Sequence, residues 1–143
     1  MIKKHSARLL ALLVLSLAGY QVVRGIEGLD ALSITAATIA FGVLVVASLL
    51  ILILGPELLG SPWVATVSSI IPLSLAAGMV HHYMPRFQTA YLVFAALGLA
   101  AIIITRFFVP SKVGQTVILA FVHAIAGGLI ILIPVLLVLE KRA

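Results

Sequence analysis

The hydrophobic pattern of the chain consists of five long apolar runs separated by short polar segments. The runs predict five transmembrane helices, at about residues 9–23, 32–54, 63–82, 87–105 and 113–139. About 20 apolar residues in a helix are needed to cross the roughly 30 Å hydrocarbon core of a bilayer. The predicted fold class is therefore an all-α integral membrane protein, a single transmembrane domain (1–143) built as a bundle of about five helices with short loops.

The first run is the shortest of the five. About 15 residues cover only about 22 Å as a helix, so we expect the long side chains of Arg8 and Arg24 to reach the membrane surface from its two ends. A basic N-terminus before a short apolar run is also typical of a signal peptide. We interpret the run as the first helix. Four spanning helices with a peripheral first segment are the alternative.

Composition excludes several classes of protein. Hydrophobic residues make up 64% of the chain and charged residues 9%, against about 25% charged residues in soluble domains. The net charge is +5, but the basic residues stand singly or in pairs at the ends of apolar runs, where they suit lipid headgroups better than nucleic acid. Cysteine is absent, which excludes disulfides and thiolate chemistry. The absence of asparagine as well suggests a thermophilic source as a hypothesis.

The distribution of basic residues gives a small orientation bias. Five spans place the two termini on opposite sides of the membrane. With a cytoplasmic N-terminus, that side carries five basic residues and the other side four. The positive-inside rule therefore weakly favours a multi-pass protein of the cell membrane whose N-terminus is cytoplasmic.

Charged residues are missing from the central part of every run. Ionisable groups inside membrane helices usually mark ion pathways, proton relays and coupled transport, so a pump or an ion-coupled carrier is disfavoured. The chain also lacks the nucleotide-binding, zinc-protease and serine-hydrolase motifs. The sequence thus leans away from an enzyme, without excluding one.

His123 is the most distinctive single residue, because it lies well inside the fifth run. Neutral histidine can ligate haem iron, and Gly127 one turn later would leave room for a flat porphyrin. The competing interpretation is helix packing, in which Ala124, Gly127 and Gly128 allow another helix to approach and His123 bonds across that contact. Packing is the favoured interpretation, with haem b as the possible cofactor of the other.

A second group of candidate ligands lies at the end of the third run. Met79, His81, His82 and Met84 offer thioether and imidazole donors that suit copper or a quinone headgroup. Adjacent histidines point in different directions on a helix and are commonly headgroup anchors. On helix geometry, His81 lies about 15 Å from His123 along the membrane normal, which makes one haem shared between them awkward.

Three functional hypotheses remain. The leading one is a non-catalytic subunit that packs against other membrane subunits, or against itself, in a larger complex of the respiratory or another energy-converting type. The first alternative is a membrane redox protein that binds haem b or copper through His123 or through His81 and His82. The second alternative is a small transporter or channel built from inverted hairpins, since residues 38–57 faintly resemble residues 118–140.

Overall fold

The computed structural model describes residues 2–25 and 27–142, and in them the chain is helical. The five long helices are α1 (Ile2–Arg24), α2 (Ala31–Leu54), α3 (Pro62–Tyr83), α4 (Gln88–Phe108) and α5 (Lys112–Arg142). Short 3-10 turns at Pro56–Gly60 and Pro85–Phe87 precede α3 and α4. All five helices are long and apolar enough to cross a membrane, which confirms the prediction of an all-α protein with five such helices. α1 begins before Leu9, and α5 continues beyond Leu139.

Capping residues set the ends of the helices. Asp30 is the N-cap of α2, and its carboxylate accepts hydrogen bonds from the backbone N–H groups of Leu32 and Ser33. α2 ends at Gly55, whose φ of 100° lies in a region that L side chains rarely adopt. Pro62 opens α3 at a position where the missing N–H costs nothing.

α3 is the central helix, because α2, α4 and α5 all contact it, whereas α1 contacts α2. The core lies between α3, α4 and α5. Its buried members are Leu73, Ala76, Val80, Tyr91, Ile102, Val122, Ala126 and Ile133. The α1–α2 hairpin and the α4–α5 hairpin therefore pack on α3 in different ways.

Two glycines allow the closest helix contacts. A Cβ atom at Gly78 of α3 would lie 3.1 Å from the carbonyl oxygen of Ser33 in α2 and 3.2 Å from the Cβ of Ala36. A Cβ at Gly98 of α4 would lie 3.1 Å from a methyl group of Val122 in α5. Small residues at helix contacts are the usual way in which membrane helices approach each other. These contacts fix how α2 and α5 sit around the bundle.

The outer surface is apolar along the helices. Leu17 in α1, Leu97 in α4 and Ile131 in α5 are each more than 60% exposed. Patches of this kind are rare on soluble monomers, and they suit contact with lipid or with other membrane helices. The exposure pattern therefore agrees with the apolar composition.

Candidate functional site

A cluster of three ionisable side chains lies at the end of the bundle where α2 begins and α3 ends. The Nε2 atom of His81 lies 3.0 Å from Oδ2 of Asp30. The Nδ1 atom of His82 lies 3.1 Å from the other oxygen, Oδ1. Both distances are those of hydrogen bonds. One carboxylate therefore holds two adjacent imidazoles of α3, and we name this group the Asp–His–His cluster.

The helix start positions Asp30 within this cluster. Besides the two backbone N–H groups that it caps, its Oδ1 lies 2.6 Å from the hydroxyl oxygen of Ser33. The same hydroxyl lies 2.8 Å from the carbonyl oxygen of Gly78 in α3. A hydroxyl has one proton, and a length of 2.6 Å is typical of O–H donation to an ionised carboxylate. Ser33 thus donates mainly to Asp30 while it also lies against the Gly78 carbonyl.

The surroundings of Asp30 stabilise its ionised form. The hydrogen bond from the Ser33 hydroxyl contributes most to lowering the pKa of Asp30 well below its usual value. Partial desolvation opposes this effect, while the bond from His82, the backbone N–H of Ser33 and the charge of His81 add to it. Asp30 is thus an anion at neutral pH that anchors the end of α3 to the start of α2.

The two imidazoles differ in their second nitrogen. When Nε2 of His81 donates to Asp30, its Nδ1 is left as an acceptor. That Nδ1 is enclosed and, within the described part of the chain, has no hydrogen-bond partner. The ring of His82 instead packs edge-on against Tyr83, with 4.6 Å between the ring centroids. His81 is therefore the member of the cluster with an unused polar atom.

Two hollows flank the Asp–His–His cluster. On one side, a groove of about 650 Å³ runs over α3 between α2 and α4, lined from within residues 31–39, 70–77 and 92–99. We name it the α2–α4 groove. On the other side, a cavity of about 250 Å³ lies under the loop before α2 and includes Glu27, Met79 and Tyr83 in its lining. Asp30 stands between them at the end of the bundle.

His123 lies far from this cluster. Its neighbour Val122 packs against Gly98 near the middle of α4, whereas His81 and His82 are in the last turn of α3. The Nδ1 atom of His123 lies 3.0 Å from the carbonyl oxygen of Leu119, one turn earlier in α5. The structure thus brings His81 and His82 together at Asp30 and does not bring His123 to them.

The predicted copper ligands Met79 and Met84 do not share one hollow. Met79 lines the cavity under the loop before α2, and Met84 lines a different cavity beside α4 and α5. Among the described residues, no three His, Cys, Asp or Glu side chains are arranged to hold a metal ion. Binding of copper by these residues stays a prediction.

Asp30 is the site residue that sequence reasoning missed. It was interpreted as part of a polar loop, and its partners His81 and His82 stand about 50 positions later in the chain. One signal was present, because an aspartate directly before an apolar run is a common helix N-cap. The comparisons do not add to this description: no protein-family model, no curated protein and no solved structure matches the chain.

Proposed function

We propose that the chain is a non-catalytic subunit of a larger membrane complex, inserted in the cell membrane with a cytoplasmic N-terminus. A respiratory or other energy-converting assembly is the favoured setting. The proposal rests on one observation, a face of α5 that this chain leaves uncovered. The face consists of Ala120, His123, Ala124, Gly127 and Gly128, and we name it the α5 glycine face.

The residues of this face follow a helix-packing pattern. Ala120, Ala124 and Gly128 are spaced four residues apart, which is the small-xxx-small arrangement of closely packed membrane helices. The alanines are exposed, and a Cβ at Gly127 or Gly128 would meet nothing within 4 Å. The inner contacts of α5 use other residues, such as Val122 and Ala126. The pattern therefore suits a helix from outside this chain.

His123 strengthens the argument for a partner. Polar and ionisable side chains are costly against acyl chains and normally face other helices. With Nδ1 donating to the Leu119 carbonyl, Nε2 keeps a lone pair that a donor on a partner helix can use. A partner packed on the α5 glycine face would cover both the glycines and this nitrogen.

The test is purification of the complex in mild detergent, followed by size exclusion and mass spectrometry of intact assemblies. We expect the wild-type chain to elute with stoichiometric partner chains and the Gly127→Leu variant to elute without them. The matched control is Leu97→Ala on the exposed outer side of α4, which should keep the partners. Retention of all partners by Gly127→Leu would show that this face contacts lipid and would overturn the proposal.

A redox role is the second candidate, and the hydrogen bond of His123 favours it. A histidine whose Nδ1–H donates to a backbone carbonyl presents Nε2 for metal ligation. Haem b on this face would need a second axial ligand from another chain, because His81 and His82 lie elsewhere and bond to Asp30. Oxidised and reduced visible spectra test it: haem bands lost in His123→Ala would support this role, and a colourless wild-type complex would refute it.

A further inference from the structure

The α2–α4 groove leads directly to the Asp–His–His cluster. Its lining on α2 starts at Ala31, the residue that follows Asp30. On α3 it includes Ala77, and His81 lies one turn later on the same side of the helix. Along α2 the lining extends over about 12 Å, at about 1.5 Å per residue. An elongated apolar groove thus ends at a hydrogen-bonding group.

α4 adds a third polar residue to this end. Leu92, Ala95, Ala96 and Leu99 line the groove, and Gln88 occupies the same helix face one turn before Leu92. The apolar lining is interrupted only by Thr35 and Ser74, whose hydroxyls donate to carbonyls of their own helices. Polar chemistry is therefore concentrated at the end of the groove.

We propose that the α2–α4 groove binds an isoprenoid quinone, with the prenyl tail along the groove and the ring at His81 and Gln88. Small-molecule sites are mostly apolar, with a few polar groups that fix the orientation of the ligand, and this groove has that design. The Gln88 amide can donate to a quinone carbonyl. The Nδ1 atom of His81 can accept from a quinol hydroxyl, after a rotation of the partly exposed ring.

The charge at the end of the groove selects between occupants. A phospholipid in the groove would bring its phosphate towards the Asp30 carboxylate, and two like charges at short range repel each other. A quinone headgroup is neutral and exchanges only hydrogen bonds. The acidic end therefore favours the neutral headgroup over an anionic one. The inference does not depend on a partner subunit, so it can be tested on the isolated chain.

The experiment uses the purified chain in phosphatidylcholine nanodiscs and a photoactivatable azido analogue of ubiquinone with a two-unit prenyl tail. We expect saturable labelling of the segment around His81 and Gln88. Unlabelled ubiquinone of the same tail length should displace the probe, whereas phosphatidylglycerol should not. Labelling without saturation, or equal displacement by phosphatidylglycerol, would show an ordinary lipid surface and overturn the proposal.

Two matched pairs of variants locate the site. Ala96 lines the groove and Ala100, one turn later, is likewise exposed, so Ala96→Trp should block binding and Ala100→Trp should not. His81 and His82 both bond to Asp30, but they point in different directions on α3. His81→Ala should weaken binding about tenfold, the value of one lost hydrogen bond to a buried group, and His82→Ala by less than about twofold.

The pairs also separate binding from folding. All four variants are checked by size exclusion and circular dichroism, and the Ala96 pair still decides the question if removal of either histidine prevents folding. Equal loss of binding in both members of a pair would contradict the proposed position. Loss of partner chains in the Gly127→Leu variant leaves quinone binding unchanged, so failure of the subunit proposal is distinguishable from failure of this one.

Discussion

Substitution of Gly78 by alanine is expected to push α2 away from α3. The added Cβ would lie 3.1 Å from the Ser33 carbonyl oxygen, 3.2 Å from the Ala36 Cβ and 3.3 Å from the Ser33 Cα, where ordinary contacts start at 3.4 Å. Two of these three atoms belong to the backbone, so no side-chain rotation can relieve the contact. α2 must therefore shift by a few tenths of an ångström, which strains the bond between Ser33 and the Gly78 carbonyl.

The magnitude follows from two opposing effects. Overpacking of a tight contact costs about 1–3 kcal/mol, while alanine is favoured over glycine in a helix by about 1 kcal/mol. Gly127→Ala is the matched control, because its Cβ would meet nothing within 4 Å and only the second effect applies. The difference in free energy of unfolding between Gly78→Ala and Gly127→Ala thus isolates the packing cost, about 1–3 kcal/mol.

The assay is reversible unfolding in mixed detergent micelles with increasing dodecyl sulfate, followed by circular dichroism. We expect Gly78→Ala to unfold at a lower fraction of dodecyl sulfate than wild type, and Gly127→Ala at an equal or higher one. Equal unfolding midpoints for the two variants would refute the close approach of α2 to α3 at Gly78. Such a result would also remove the geometry that brings Asp30 to the histidines.

Two further predictions concern the same contacts. Because the pKa of Asp30 in the folded chain lies below the ordinary value of 3.8, its stabilising effect is present above about pH 5 and is lost as the pH falls through 3.8 and below; acid titrations of unfolding should show this loss in wild type and in Glu57→Gln, and not in Asp30→Asn. Gly98→Ala should destabilise less than Gly78→Ala, because it meets methyl groups of Val122 and not backbone; greater destabilisation in the same assay would contradict this ranking.

The helices could be predicted from sequence because lipid imposes a simple rule. Every spanning segment must be apolar over about 20 residues, so runs such as residues 32–54 are visible without knowledge of their neighbours. The ends were less predictable. α1 extends back through Lys4 and His5, since a helix can continue into the interface where charged side chains are solvated.

The Asp–His–His cluster could be predicted only in part. His81 and His82 stood out because histidines are uncommon at the end of an apolar run. Their partner could not be identified, because the pairing with Asp30 depends on how α2 packs on α3. That packing depends in turn on Gly78, whose role appears only when Ser33 and Ala36 lie against it. Residues distant in sequence meet here through a contact that no local pattern encodes.

The helix-packing surfaces show the same limit. The small residues Ala96 and Ala100 suggested a packing surface on α4, but within this chain both are exposed. The contact with α5 is made at Gly98, on another side of the helix. Spacing indicated that small residues were available, whereas the side that is used depends on the complete bundle.

The most direct test of the subunit proposal is the lipid exposure of the α5 glycine face in native membranes. The chain has no cysteine, so Gly127→Cys carries a single nitroxide spin label, and Leu97→Cys on the exposed side of α4 provides the lipid-facing reference. We expect the label at residue 127 to be immobile and shielded from dissolved oxygen in the native membrane, and to become mobile and oxygen-accessible once the chain is purified alone. A label at residue 127 as mobile and as accessible in the native membrane as the one at residue 97 would contradict the account.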